Sequence, residues 1–285
     1  MRSKVQIHPL LPNVTRKAIK FCELFYFSRK IIPRDKITMK DISLFIITKN
    51  EGDKLEHCIN SAKGICSEII VCDSGSTDNT AEIARKMGAK VIQHDFIGFA
   101  HQKNFALEAC SGKWALSLDA DEVLTKELAD EIANIPEDTE YNGFNLHRVN
   151  YFLGGRMNFS GLNNEYILRL IRVGSGRYRD VLVHEGLEIE GKIAVLKNEM
   201  LHYSYGDLEN YFVKFNKYTS LAARDLKAKG KKFSLLGTIL RLPFEFMKRY
   251  VLKLGFLDGI RGFIWASCST FYVFVKYIKL WHLSK

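Results

Sequence analysis

The sequence predicts an α/β protein: a doubly wound, mostly parallel sheet with a mixed extension and a helical, basic C-terminal appendage. Three observations lead there. Strand-length apolar runs alternate with helix-length patterns from Asp41 to about Asn134. Strand patterns without helices between them follow. From Asp207 onward the chain reads helical and basic. Regular strand–helix alternation of this kind implies right-handed parallel crossovers.

The elements follow in order. "ISLFIIT" (42–48) is an apolar, β-branched run of strand length, and a helix pattern extends from Asp53 to about Lys63. "EIIVCD" (68–73) is the second strand. "SGSTDNTAEIARKMGA" then supplies a turn, a helix start capped by Ser76 or Thr77, and Gly88 as its stop. "KVIQHD" (90–95) is the third strand and Gly98 to Cys110 the third helix pattern. "KWALSLDAD" is the fourth strand, with a helix after Thr125. "YNGFNLHRVNYFLGG" (141–155) and "EYILRLIRV" (165–173) have no helix between them, so the sheet should continue there in antiparallel or mixed pairing. No internal repeat or low-complexity linker interrupts the chain. The expected organisation is a basic N-terminal arm (1–40), a sheet domain (41–206) and a helical region (207–285).

Of the 285 residues, 47% are hydrophobic and 26% charged, enough for a sizeable core. The net charge of +10 is unevenly spread: residues 1–40 hold 10 Lys/Arg against 2 Asp/Glu, residues 41–200 hold 17 against 25, and residues 201–285 hold 15 against 5. The basic C-terminal region is also apolar, as in "LPFEFMKRYVLKLGFL" and "GFIWASCSTFYVFVKYIKLWHL". Its uncharged run from Gly262 to Val275 is shorter than the roughly 20 residues a spanning helix needs. Lys248, Arg249, Lys253, Arg261, Lys276 and Lys279 punctuate it. Amphipathic helices lying in an anionic membrane interface fit this pattern. A helical subdomain packed on the main core is the plainer alternative, and no nucleic acid is expected as a partner. The N-terminus lacks the features of a secretory signal. The six cysteines show no CxxC spacing. Together these predict a reduced, cytoplasmic protein, peripheral on the inner face of the membrane.

In open α/β sheets ligands bind beyond the carboxyl ends of the strands. Three polar clusters fall there: "TKNEGD" (48–53), "DSGSTD" (73–78) and "DADE" (119–122). Neither GxGxxG nor GxxxxGK[ST] is present, so phosphates must be held in another way. Asp119, Asp121 and Glu122 put three carboxylates within four positions at the end of an apolar strand, which is costly unless they share a positive charge. A hard divalent cation, Mg²⁺ or Mn²⁺, bridging a diphosphate is the expected partner. Plain readings stand beside this one. Asp73, Ser74, Gly75 and Asp78 are ordinary turn and cap formers, Glu51 a solvated charge, Lys103 a surface lysine, and Glu122 a helix N-terminal charge.

"IITKNEGDKLEHCINS", "IIVCDSGSTDNT", "QKNFALEACSGKWALSLDADE" and the later "VHE" resemble the family 2 glycosyltransferases of the GT-A fold. Within them the chain looks most like bacterial lipopolysaccharide-core enzymes of the heptose β-1,4-glucosyltransferase type. The resemblance runs from about residue 41 to the end, where "GFLDGIRGF" contributes. It implies that Asp73 binds the base or ribose, that Thr48, Asn50 and Glu51 line the base pocket, and that Lys103 and Asn104 face the diphosphate or sugar. It further implies that Asp119 reaches the ribose or sugar while Asp121 meets the metal. His202 is a candidate further ligand, with a structural histidine as the alternative. Glu185, ending the apolar run of "RDVLVHEGLE", is the expected base for the acceptor hydroxyl; Asp180 is the alternative, and His184 would orient the base or the acceptor. Arg169, Arg172, Arg177 and Arg179 either bind acidic groups of the acceptor or form a solvated face.

The QxxRW motif of processive members is missing; "KFNKYTSLAAR" is the nearest text. The implied activity is therefore metal-dependent, inverting, non-processive transfer of one sugar, glucose from UDP-glucose, to a glycolipid such as the lipopolysaccharide inner core. Two rivals remain. A sugar-phosphate nucleotidyltransferase would show a Gly-rich first loop, whereas "TKNEGD" has only Gly52. A non-catalytic membrane adaptor of the same fold would not need the carboxylates.

Overall fold

The computed structural model describes residues 41–162, 165–179 and 186–285. The N-terminal arm lies outside them. So do Asp180, His184 and Glu185, the residues expected to supply and orient the base.

Four parallel strands form the first half of the sheet: β1 (Ile42–Thr48), β2 (Glu68–Asp73), β3 (Lys90–Gln93) and β4 (Trp114–Asp119), in spatial order β3-β2-β1-β4. The first, second and fourth are buried on both faces, which is why they read as continuous apolar runs. Ile42, Leu44 and Ile46 of β1 join Trp114, Leu116 and Leu118 of β4 in one core layer, beneath α1 (Gly52–Ala62), α2 (Thr80–Lys86) and α4 (Lys126–Ala133). Phe45, Ile70, Cys72 and Ala115 face the opposite layer, covered by α3 (Phe99–Glu108). Helices on both faces make the sheet doubly wound, as expected.

Most boundaries match the sequence pattern. The start of α2 does not: it begins at Thr80, after Asn79, and Ser76 and Thr77 stay in the loop before it. Gly88 ends that turn with φ +87°, a conformation costly for any side chain with a Cβ. Thr125 caps α4 by accepting the Leu128 amide.

β5 (Glu122–Leu124) follows β4 after a two-residue turn. The sheet then continues as β4-β8-β6-β11-β5, with β6 (Tyr141–Phe152), β8 (Glu165–Arg172) and β11 (Lys192–Tyr205), while β7 (Gly155–Arg156) pairs with β6. β8 runs antiparallel to both β4 and β6, and β11 runs parallel to β6 and antiparallel to β5, so the extension is mixed. β9 (Gly176–Tyr178) and β10 (Leu187–Ile189) pair separately.

Three helices complete the chain: α5 (Leu208–Ala228), capped by Asp207, α6 (Leu235–Met247) and α7 (Gly259–Leu283). Aromatic packing joins this region to the sheet, with Phe152 of β6 against Tyr211 of α5 and Trp265 of α7 at centroid distances of 5.9 and 5.3 Å. "GFLDGIRGF" is the joint. Asp258 accepts hydrogen bonds from the amides of Asn158 and Phe159 and from the Ser160 hydroxyl. Arg261 donates to the Leu153 carbonyl. A Cβ on Gly262 would lie 1.8 Å from the Gly255 carbonyl oxygen, so only glycine permits that approach. Among the described residues no helix is long and apolar enough to cross a membrane.

Candidate functional site

Strand register assembles the site. Thr48 pairs with Asp73 across β1 and β2, and Ile47 with Asp119 across β1 and β4, so the three strand ends and the loops after them share one edge of the sheet. This is the convergence the sequence implied.

The first two loops are laced together. Asn50 takes φ +55°, which Asn tolerates better than most residues, and its side-chain oxygen accepts the Thr77 amide at 2.8 Å. The Asn50 amide donates to the Ser76 hydroxyl, and the Glu51 amide to the Thr80 hydroxyl. Asp73 is buried, accepts the Ser76 amide at 2.9 Å and also accepts from the Ser76 hydroxyl. Beside it the Thr48 hydroxyl is buried with no hydrogen-bond partner among the described residues. An unsatisfied hydroxyl at the floor of a cleft is a place for a polar ligand. The Glu51 carboxylate, by contrast, pairs with Lys54 at 2.9 Å.

The "DADE" cluster divides. Asp119 ends β4, Ala120 and Asp121 form the turn, and Glu122 begins β5 and folds back into the core. Glu122 is 0% exposed. It is therefore not a helix N-terminal charge. One of its oxygens accepts the Asp119 amide; the other meets the Arg169 guanidinium at 2.5 Å and Arg148 at 3.4 Å. Arg169, itself buried, also reaches Asp119 at 2.6 Å. Lys103 of α3 binds the other Asp119 oxygen at 3.1 Å. Burial alone would raise the Asp119 pKa; Arg169 and Lys103 outweigh it and hold the carboxyl far below the usual carboxylate range. The positive charge shared by Asp119 and Glu122 is thus a guanidinium rather than a metal, which corrects the expectation that all three carboxylates gather round one cation.

Asp121 is left facing another group. His202 of β11 lies 3.4 Å from one of its oxygens and Lys214 of α5 lies 3.9 Å from the other. Burial would raise Asp121; the His202 contact, helped by Lys214, lowers it instead. Asn150 fixes the histidine ring. Its amide nitrogen donates to the Leu162 carbonyl and to Glu165, so its oxygen is turned to His202 Nδ1 at 2.8 Å. Nδ1 therefore carries a hydrogen, and Nε2 is the ring nitrogen turned to the Asp121 carboxylate. Among the described residues no group of three His, Cys, Asp or Glu could hold a metal alone. With one carboxylate and one imidazole nitrogen, the pair would supply two ligands to a divalent cation.

Other expected residues are placed differently. Asn104 exchanges two hydrogen bonds with the backbone of Tyr178, at 2.9 and 2.8 Å, so its amide is committed to β9 rather than presented to a diphosphate. Arg169 is internal and does not bind an acceptor. Arg172 lies over the Trp114 ring, 4.7 Å from its centroid. Arg177 and Arg179 line a hollow of about 440 Å³ with His94, His101 and Glu188, and Arg179 is ion-paired with Glu188. Sequence reading missed Asn150, Arg148 and Lys214. Arg169 left a faint signal, as a charge flanked by the apolar Leu168 and Leu170 within β8.

Comparison with known proteins identifies the chain's relatives. The model of "Glycosyl transferase family 2" matches residues 43–202. A lipopolysaccharide core biosynthesis glycosyltransferase, LpsC of Rhizobium meliloti (strain 1021), is 33% identical over 248 residues, covering 84% of this chain and 92% of the relative. An uncharacterized glycosyltransferase, RT0209 of Rickettsia typhi (strain ATCC VR-144 / Wilmington), is 35% identical over 260 residues, covering 86% and 88%. A mannosyltransferase structure, PcManGT from Pyrobaculum calidifontis, aligns over 90% of this chain and 92% of its own, with 12% identity and a TM-score of 0.47.

Proposed function

Because the chain belongs to glycosyl transferase family 2 and is a glycosyltransferase, we propose that it transfers a single sugar, glucose from UDP-glucose, to a glycolipid of the lipopolysaccharide inner core with inversion at the anomeric carbon. The observation that carries the site reading is the approach of Asp121 and His202 Nε2 to 3.4 Å at the edge where the strand ends converge. Similarity to the lipopolysaccharide-core enzyme supports the acceptor class.

In this reading Thr48, Asn50, Glu51 and Asp73 hold the nucleoside. The buried Thr48 hydroxyl supplies a hydrogen bond with no competing partner among the described residues. Lys103 and Arg169 keep Asp119 ionised and oriented toward the ribose or sugar. Asp121 and His202 hold Mg²⁺ or Mn²⁺, which when bound neutralises charge on the departing diphosphate. Glu185, or Asp180 in its place, takes the proton as the acceptor oxygen attacks the anomeric carbon and the bond to the diphosphate breaks. Arg177 and Arg179 offer the acceptor two cations beside that segment.

The membrane contact belongs to the same reading. Leu236, Leu240, Phe244, Leu252, Leu257 and Ile260 stand more than half exposed along α6, the turns after it and the start of α7, with Lys232, Arg241, Lys248 and Lys253 before and among them. An apolar face edged with cations suits an interface of anionic lipid. In flotation with vesicles containing phosphatidylglycerol, the wild-type protein should float, and Leu240→Glu with Phe244→Glu should leave most of it at the bottom. Equal flotation of both would remove α6 from the contact.

The donor is tested by turnover and thermal shift with UDP-, GDP-, ADP- and CDP-glucose, with and without Mn²⁺. Metal-dependent stabilisation by the UDP ligands is expected, about 2.7 kcal/mol at one hundred times the dissociation constant. Stabilisation by none of them in folded protein would overturn the donor reading.

A further inference from the structure

We infer that Lys214, on the first helix of the C-terminal region, binds the diphosphate of the donor and stabilises it as it leaves, an inference that rests on the donor-site reading above. Lys214 enters the site from the C-terminal helices, outside the strand edge that supplies Thr48, Asp73, Asp119 and Asp121. Its ammonium lies 3.9 Å from Asp121 Oδ2 and 5.6 Å from the centroid of the Tyr205 ring, with the side chain about one-third exposed. The ion contact is long for a lysine placed to stabilise the fold. A close ion pair would bring the charges within about 3 Å.

Helix phasing puts the lysine there. Tyr211, Phe215, Thr219 and Ala223 form the buried stripe of α5, spaced by four residues, and Lys214 borders it beside Phe215. The helix is pinned along that stripe. Phe215 stacks on Phe271 of α7, and Lys279 of α7 donates to the carbonyl and side chain of Asn216 and to the hydroxyls of Thr219 and Ser220. The lysine is thus delivered by a rigid element, and the position of its ammonium is set by the packing of α5 against α7.

Electrostatics then selects its partner. Asp121 can serve one strong cation. When a divalent ion is bound there, the Lys214 ammonium is repelled by it and gains only from an anion bound to the same ion. A diphosphate is that anion, and its charge grows as the glycosidic bond breaks, which is when a preplaced cation helps most. Lys103 is engaged elsewhere in the cluster, 3.1 Å from Asp119.

The test is calorimetric and needs no turnover. Wild-type protein, Lys214→Gln and Lys214→Arg are titrated with UDP and with uridine, each in the presence of Mn²⁺. Lys214→Gln should bind UDP at least about tenfold more weakly and uridine within twofold of wild type, and Lys214→Arg should recover most of the UDP affinity. Unchanged UDP binding by Lys214→Gln, or an equal loss for UDP and uridine, would overturn the role of Lys214 and leave the donor site standing. No UDP binding by the wild-type protein would instead bring down the donor reading, and this inference with it.

Discussion

Asp121→Asn should abolish transfer while leaving the fold intact: kcat/KM falls by at least about 10³-fold, and the melting temperature moves by no more than a few degrees. The side chain keeps its shape, so the turn between β4 and β5 is not disturbed. What disappears is one negative charge, whose partners are His202 at 3.4 Å and Lys214 at 3.9 Å. Neither is a close ion pair, and losing them costs little stability. The same charge is the only carboxylate of the cluster that no guanidinium claims. An amide oxygen is a poor substitute for it at a divalent cation, and several kcal/mol of stabilisation of the departing diphosphate goes with it, each 1.36 kcal/mol being a factor of ten in rate. A folded Asp121→Asn protein with more than a tenth of wild-type turnover would show that Asp121 is not the metal ligand.

The parallel half of the sheet was legible because burial on both faces leaves no ambiguity: the apolar runs at 42–48 and 68–73 are the strands themselves. β11 was not legible. Its pairing with β6 slips in register at three points, which destroys the period-two alternation that marks a strand, and Lys192, Lys197, Asn198 and Glu199 lie within it. The helix start at "DSGSTDNT" misled for a related reason. Ser76 and Thr77 are good caps by type, but here the Ser76 hydroxyl is drawn to Asp73 and Asn50, and the Thr77 amide to Asn50. These tertiary contacts between two loops leave no local trace.

The site was half legible in the same sense. Its strand ends could be read from the pattern, and the role of "DADE" as a cluster could not be resolved into separate roles, because neighbours in sequence suggest a common destination. The turn at Ala120 and Asp121 sends Asp121 to the cleft and Glu122 to the core, and only the positions of Arg148 and Arg169, on strands that come later in the chain, reveal it. Lys214 was hidden for a simpler reason: nothing in a basic, amphipathic helix says which lysine the packing will turn inward.

Arg169→Met should show the opposite behaviour to Asp121→Asn, a large loss of stability. The guanidinium is 4% exposed and bridges Asp119 and a Glu122 that is not exposed at all. Methionine fills much of the volume but leaves Glu122 with only the longer contact to Arg148 and with the Asp119 amide. Stranding a buried carboxylate in this way typically costs about 3–5 kcal/mol, on the order of 10 °C in melting temperature for a domain of this size. Adding Glu122→Gln to Arg169→Met removes the stranded charge, and the double variant should regain about 1–3 kcal/mol relative to Arg169→Met alone, a coupling that independent sites would not show. Chemical denaturation of the wild type, Arg169→Met, Glu122→Gln and the double variant measures it directly. If Arg169→Met unfolds at the wild-type midpoint, or if the two substitutions simply add, the buried pair is not what holds the β4–β5 turn. The division of the cluster, with Glu122 locked to Arg169 in the core and Asp121 outside that pair, would then have to be abandoned.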